Sequence, residues 1–132
     1  MKLKDFDFRI WNNNSKTYEA GSIIESLGFI TSVFNQSTYE KPTIDYEIQL
    51  WTGYFDKNGK KIYEGDILYY FKDCSEGEVF KYQVLFKEGA FYLFESYDGF
   101  VDDEDLIAEF DLKELQVMGN IHENKELLNV RL

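Results

Sequence analysis

The chain has 132 residues, a length that suits one domain over residues 1–132 with a modest core. Aromatic residues make up 18% of it beside a single proline, which excludes a disordered or fibrous protein. The formal net charge of −11 disfavours direct binding to nucleic-acid phosphates and favours basic partners.

The chain opens with a predicted β-hairpin. Residues 6–11 alternate apolar and polar side chains, which is the period-two pattern of a half-buried strand. Residues 12–15 are asparagines and a serine, which favour a turn, and residues 17–19 are predicted to form the returning strand.

A short helix and a loop follow the hairpin. Ser22 and Glu25 have the spacing of a capping box, and Gly28 is expected to end the helix. Residues 35–42 are polar, carry the only proline and are predicted to be the most mobile loop. The helical side chains expected to face inward are Ile23, Ile24 and Leu27.

The middle of the chain contains two predicted strands and a reverse turn. Residues 44–51 alternate strictly, so they predict a strand. Residues 56–59 predict a turn whose last residue, Gly59, needs a positive φ, and Gly65 precedes the next strand. Residues 67–71 are apolar on both faces, so this strand is either central to the core or part of a subunit interface.

The second half combines a hairpin with a strongly acidic segment. Residues 80–94 predict a hairpin that turns at residues 87–89. In residues 95–114, nine acids are opposed by Lys113 alone, a local charge of −8. These acids either keep an aromatic-rich protein in solution, or form a face that recognises a basic protein surface or mimics the charge of nucleic acid. The candidate interaction face consists of Asp102, Asp103, Glu104 and Asp105.

The last predicted elements close a small β fold. Asp111 and Glu114 are expected to cap a short helical turn, residues 116–121 to form the closing strand, and Asn124 to cap a final turn. Strands joined by short turns favour an antiparallel meander. The predicted fold is therefore mainly β with minor helix, either a small barrel of SH3-like or related type or a sandwich.

The sequence also indicates a compartment. Cys74 is the only cysteine, so an internal disulfide is excluded and a reducing cytoplasm is predicted. Residues 1–10 alternate charged and apolar side chains, unlike a secretory leader, and no segment has the roughly 20 apolar residues of a membrane span. We expect a soluble intracellular protein without a membrane segment.

No set of residues has the pattern of a known catalytic or metal site. His122 is the only histidine, which excludes sites that need more than one imidazole. The acids at residues 102–105 lack the spacing of a calcium loop, and the glycines lack that of a phosphate-binding loop. A pair of glycosidase carboxylates stays open, because their separation depends on the fold. We expect a protein that is not an enzyme and uses no cofactor or metal.

Residues 52–67 read TGYFDKNGKKIYEGDI and resemble the central signature of the YopX family, small proteins encoded by bacteriophages and prophages. Residues 8–11 resemble the opening strand of that family, residues 89–91 a later hairpin, and residues 117–124 with 126–128 its carboxy-terminal motif. The resemblance therefore covers nearly the whole chain.

The resemblance implies a mostly β, self-associating protein from a phage or prophage, and it implies no particular activity. The sequence departs from the family at His122, where an aromatic residue is common, and at Lys125, where a proline is common. The signature glycines are expected to serve turns and the large side chains to fill space, although Tyr63, Glu64 and Asp66 could instead line a groove. The signature residues are Trp11, Gly53, Asp56, Asn58, Gly59, Tyr63, Glu64, Gly65, Asp66, Ile67, Gly119 and Asn120.

Two hypotheses of function remain open. The first is a non-enzymatic phage accessory protein that binds itself and a host or phage protein through exposed aromatic residues and the acidic face. The second is a nucleic-acid-related β-barrel that stacks unpaired bases on its aromatic residues. The basic residues that favour the second hypothesis are Lys57, Lys60 and Lys61.

Overall fold

The structure is a computed structural model that describes residues 1–19, 21–36, 45–71, 79–97 and 101–128. The chain forms two compact units, Met1–Trp51 and Thr52–Leu132. The organisation as one domain stays a prediction, and Cys74 lies outside the described residues. Within the described ranges the elements are β1 (Phe8–Asn12), β2 (Thr17–Tyr18), α1 (Ile23–Gln36), β3 (Tyr46–Phe55), β4 (Lys61–Tyr63), β5 (Asp66–Phe71), β6 (Val79–Lys87), β7 (Ala90–Tyr97), β8 (Val101–Leu106) and β9 (Leu115–Asn120). Short 3-10 turns lie at Leu3–Asp5, Ile107–Glu109, Leu112–Glu114 and Lys125–Leu128.

In the first unit, β1 pairs antiparallel with β2 on one side and with residues 46–50 of β3 on the other. The turn after β1 is held by Asn12, which is buried. Its side-chain oxygen accepts hydrogen bonds from the N–H groups of Asn14 at 2.8 Å and Ser15 at 3.1 Å. An asparagine that bonds the backbone just after it stabilises a tight turn, so the predicted hairpin is confirmed with its physical cause.

Helix α1 is longer than predicted. It begins as expected, because the Ser22 hydroxyl accepts a hydrogen bond from the Glu25 N–H at 3.3 Å, and the Glu25 carboxylate accepts one from the Gly21 N–H at 2.9 Å. The helix then continues through Gly28 to Gln36 and has 14 residues in all, so the predicted end at Gly28 is wrong. One internal glycine costs a helix only about 1 kcal/mol, which the residues that follow can offset.

The predicted inward face of α1 is also wrong in part. Ile24 is 79% exposed and Leu27 is 44% exposed, whereas Ile23 is half-buried and Ser26 is buried. Since the helix extends to Gln36, residues 37–42 are what remains of the predicted loop, and they lie outside the described residues.

Strand β3 buries a polar side chain beside an exposed apolar one. Gln49 is 4% exposed, whereas Ile48 is 51% exposed. The Gln49 side-chain oxygen accepts hydrogen bonds from Arg9 Nε at 2.6 Å and from the Tyr18 hydroxyl at 3.0 Å. These bonds offset the cost of removing the amide from water.

The second unit is built on a five-stranded antiparallel sheet in the order β8-β7-β6-β5-β9. Strands β5 to β8 follow one another as a meander, and β9 returns to pair with β5, which is the strand order of SH3-like barrels. A 3-10 turn at Leu112–Glu114 precedes β9 and is capped by Asp111, as predicted. The mainly β fold with a curled antiparallel meander is therefore confirmed.

One face of this sheet carries the core of the second unit. It is formed by aliphatic side chains, and aromatic rings such as those of Tyr82 and Phe110, 5.2 Å apart, pack against them. Burial of each such side chain contributes about 1.5–3 kcal/mol. The buried members are Ile62, Leu68, Val84, Leu93, Ile107, Leu112, Leu115 and Val117.

Strand β5 lies between β6 and β9 and is buried on both faces at its centre. Ile67 and Leu68 are 0% exposed and Tyr69 is 4% exposed. Of the two interpretations of this apolar strand, the central strand of a core is the one observed for these residues. Phe71 at its end is 43% exposed.

Strand β8 was not predicted, because four of its six residues are acids and acids form strands poorly. Six consecutive residue pairs nevertheless join it to β7, from Val101 opposite Tyr97 to Leu106 opposite Tyr92.

Candidate functional site

The central signature turn is organised by the buried carboxylate of Asp56. One oxygen accepts hydrogen bonds from the N–H groups of Asn58 and Lys60, each at 2.8 Å, and the other accepts from the Val117 N–H at 2.9 Å. Gly59 has a φ of 76°, as predicted for the end of this turn. Asp56 thus joins the turn to strand β9, and its carboxylate faces the backbone instead of solvent.

The carboxy-terminal signature has a similar centre at Asn120, which is buried. Its side-chain oxygen accepts hydrogen bonds from the N–H groups of His122 at 3.0 Å and Glu123 at 2.9 Å. The Asn124 side-chain oxygen accepts one from the Asn120 N–H at 3.3 Å, and the Asn124 carbonyl accepts one from the Leu127 N–H at 2.9 Å, so Asn124 stabilises the end of β9 and lies at the predicted start of the final turn.

Gly119 lies inside β9 and does not serve a turn as expected. A Cβ atom at this position would lie 2.4 Å from Oδ1 of Asn124 and 2.7 Å from its Cβ. Such distances are well inside van der Waals contact, so only glycine leaves room for Asn124 against the strand. The register between β5 and β9 also shifts here, which leaves Met118 as an extra residue on β9.

Asp66 is 2% exposed, and its carboxylate accepts a hydrogen bond from the Tyr63 N–H at 2.8 Å. Gly65 between them has a φ of 85°, and its N–H donates to the Val84 carbonyl. Burial keeps Asp66 from lining an open groove; Tyr63 and Glu64 are half-buried.

The other signature residues are distributed over both units. In the first unit, Trp11 is 3% exposed and packs edge-on against the Tyr18 ring at 4.9 Å. In the second unit, Gly53 has a φ of 88° and Ile67 is buried in β5. Burial, ring packing and backbone conformation at these positions are features of residues that stabilise a fold.

The candidate interaction face lies on strand β8, at the edge of the five-stranded sheet. Asp102 and Asp103 pair in register with Ser96 and Glu95, and of this part of β8 only the backbone is described. Glu104 and Asp105 pair with Phe94 and Leu93, and both acids are exposed. Because successive residues of a strand point to opposite faces, these two carboxylates lie on both sides of the sheet edge.

The Glu104 carboxylate is paired with a lysine of the same chain. Lys87 on β6 forms a hydrogen-bonded ion pair with Glu104, and its Nζ lies 5.1 Å from the ring centroid of Tyr92 on β7. The hydrogen bond to Glu104 raises the pKa of Lys87 above its ordinary value of 10.5. Lys87 and Tyr92 were not predicted to belong to this face, because their proximity to Glu104 arises only when three strands pair.

The basic residues of the alternative hypothesis lie on the central turn. Lys57 and Lys60 are exposed, and Lys61 is half-buried at the start of β4. The Lys57 ammonium lies 5.6 Å from the ring centroid of Phe71, whose ring is partly exposed. Lys57 of the turn therefore lies over a partly exposed aromatic ring at the end of β5.

No cluster of three or more metal-ligating side chains occurs among the residues that the structure describes. In the first unit, a wide and open depression of about 580 Å³ is lined by polar residues. The lining residues are Asn13, Asn14, Lys16, Asp45 and Glu47. None of the helices in the described ranges is long and apolar enough to cross a bilayer.

A family model described as "YopX protein" matches residues 6–129. The chain belongs to the YopX family. The match includes the central signature turn, strand β8 and the Asn120 motif, so these features lie within the family's domain. A comparison with the curated proteins finds no match.

Among solved structures, this YopX family member is similar to the crystal structure of protein EF1440 from Enterococcus faecalis. The two chains are 24% identical, the TM-score is 0.55, and the alignment covers 93% of this chain and 97% of the other. At this identity the likeness supports the fold alone.

Proposed function

We propose that this YopX family member is a non-enzymatic accessory protein of phage or prophage origin, which acts in the host cytoplasm through protein contacts at its acidic face. The observation that carries the proposal is strand β8, where consecutive acids occupy the edge of a sheet and Glu104 and Asp105 are exposed. Acids that served solubility alone would need no common strand.

Electrostatics favours a basic protein as the partner. Residues 95–114 have a net charge of −8 and the whole chain has −11. The rest of the chain therefore contributes a further −3 and does not neutralise this segment. Such a field accelerates encounter with basic surfaces and excludes acidic ones, and its effect decreases as salt rises.

A binding titration tests the acidic face. The probe is a fluorescent lysine peptide, and the variant is Glu104→Lys with Asp105→Lys in the full chain. The matched control is Glu109→Lys with Glu114→Lys, which changes the net charge equally at two exposed positions outside β8. We expect the β8 variant to lose binding by about tenfold or more, and the control to lose much less. Equal losses of binding in both variants would show that the peptide responds to the net charge of the protein and not to the acids of β8.

Self-association is the second part of the proposal. Its support is the family resemblance and the exposed apolar side chains of α1, Ile24 and Leu27, since the centre of β5 is buried within the chain. Like charges on β8 oppose contact between two copies of that strand. Light scattering tests this part: a monomer at every concentration from micromolar to millimolar would refute it.

A second candidate function is the binding of single-stranded nucleic acid at the central turn. The contact of Lys57 with the accessible Phe71 ring favours it, because stacking platforms combine a cation with an exposed aromatic ring. The net charge opposes it. A low-salt titration with labelled single-stranded oligonucleotide tests it, with Lys57→Ala and Phe71→Ala as variants; no binding at tens of micromolar would exclude it.

A further inference from the structure

We infer that the partner of β8 is an extended basic segment that adds to the five-stranded sheet as a sixth strand. This inference rests on the proposed protein-binding function, and it specifies how the partner binds and what its sequence is like.

The backbone of β8 is already arranged for strand addition. All six of its residues pair with β7, so the strand is fully extended, and β7 is its only partner among the described strands. An edge strand presents a row of backbone N–H and C=O groups on its outer side, to which another extended chain can bind.

The side chains of β8 select which chain can bind there. The exposed acids Glu104 and Asp105 disfavour pairing with the β8 strand of a second copy, because like charges directly opposite each other destabilise a strand pair. The same acids attract a basic strand. The negative charge therefore disfavours pairing between the β8 strands of two copies, to which sheet edges are prone. It favours a positively charged partner strand.

Lys87 shows which contacts a lysine of the partner would make with Glu104. Its ammonium group contacts the Glu104 carboxylate and lies over the Tyr92 ring, although it comes from β6, two strands away. A residue directly across from Glu104 on an added strand would have its Cβ about 5 Å from that of Glu104, well within reach of a lysine. The chain thus contains an internal example of the contact that the partner would make.

The alternation of the strand also predicts the partner's sequence. Glu104 and Asp105 lie on opposite faces of the sheet, so an added strand meets carboxylates on both faces. Consecutive basic residues match this pattern better than basic residues at every second position. The expected partner segment is a run of lysine or arginine without proline, since proline cannot donate to the ladder.

Two peptides test the inference with the full chain. The first is a run of about eight lysines, long enough to pair with β8. The second has the same side chains and charge but an N-methylated backbone, which cannot donate hydrogen bonds to a neighbouring strand. Amide hydrogen exchange of residues 101–106 is measured alongside the dissociation constants.

We expect the first peptide to bind and to slow exchange of the β8 amides, and the methylated peptide to bind at least about tenfold more weakly, since several ladder hydrogen bonds are lost. Equal affinities without slowed exchange in β8 would overturn strand addition while leaving the acidic face as a binding surface. Absence of binding by both peptides would overturn strand addition and the proposed function together.

Discussion

Asp56 and Glu104 are both acids of the second unit, and their surroundings give them opposite roles. Asp56 is 6% exposed and accepts three backbone hydrogen bonds, so its charge is used within the fold. Glu104 is exposed at a sheet edge, where one lysine contacts it. Burial and backbone partners, rather than residue type, therefore separate the acids that stabilise the protein from those available to a partner.

The largest expected effect is at Asp56. Replacing it with alanine leaves the Val117 N–H buried without its acceptor and frees two further N–H groups of the turn, so we expect the free energy of unfolding to fall by about 3 kcal/mol. Denaturant unfolding measures this. The matched control is Asp111→Ala, which removes one exposed capping bond to the Lys113 N–H and should cost at most about 1 kcal/mol. Equal costs in the two variants would remove the distinction between buried and exposed acids.

The next effect sharpens the same contrast at the end of β9. We expect Gly119→Ala to destabilise the protein by about 2 kcal/mol, because the added methyl group overlaps Asn124. The overlap is relieved when Asn124 is replaced by glycine, so the two substitutions should be strongly non-additive. A double-mutant cycle by thermal unfolding measures the coupling, and additive costs would show that the close approach of Asn124 is not what requires glycine.

A smaller effect is expected at Tyr69, a buried residue whose hydroxyl donates to the Leu127 carbonyl at 2.6 Å. Burial, and secondly the charge of Glu126, raise the pKa of Tyr69 above 10.0. The folded state therefore keeps this proton to higher pH than the unfolded state does, so stability from Tyr69 is complete below pH 10 and is lost as pH rises through the folded pKa.

Replacing Tyr69 with phenylalanine tests this assignment. We expect Tyr69→Phe to cost about 1 kcal/mol at neutral pH and to remove that part of the alkaline loss. Unfolding measured from pH 8 to 11 reports both quantities. An unchanged alkaline loss in the variant would assign it to other groups.

The smallest effect on stability is expected at the acidic face itself. Glu104→Lys with Asp105→Lys should change the free energy of unfolding by no more than about 0.5 kcal/mol for each substitution, since both side chains are exposed. Circular dichroism melting measures it. A large loss of stability would show that these acids stabilise the sheet. Their role would then be structural, like that of Asp56.

The elements that the sequence predicted correctly depend on local signals. Alternation revealed β1, β6 and β7, and glycines at positive φ marked the turns at Gly59 and Gly89. The errors arose where tertiary contacts override local preference. Helix α1 continues past Gly28, Gln49 is buried by bonds to other strands, and β8 forms from acids because β7 offers it a backbone partner.

The candidate site was predictable only as a cluster of charge. The acids of residues 102–105 are contiguous, so the sequence shows them directly. Their position on an edge strand follows from strand order, and the contact of Glu104 with Lys87 joins residues 17 apart in sequence. Neither can be read from local pattern, because both depend on how the meander pairs.

We propose that β8 is a contact surface for basic protein segments. Amide chemical-shift mapping of the full chain during titration with a lysine peptide tests it most directly. The largest changes should fall on residues 101–106 and on Lys87, and should decrease when salt is raised from about 50 mM to about 200 mM. Changes that concentrate on residues 57–61 or in the first unit, or the absence of any change, would contradict the claim.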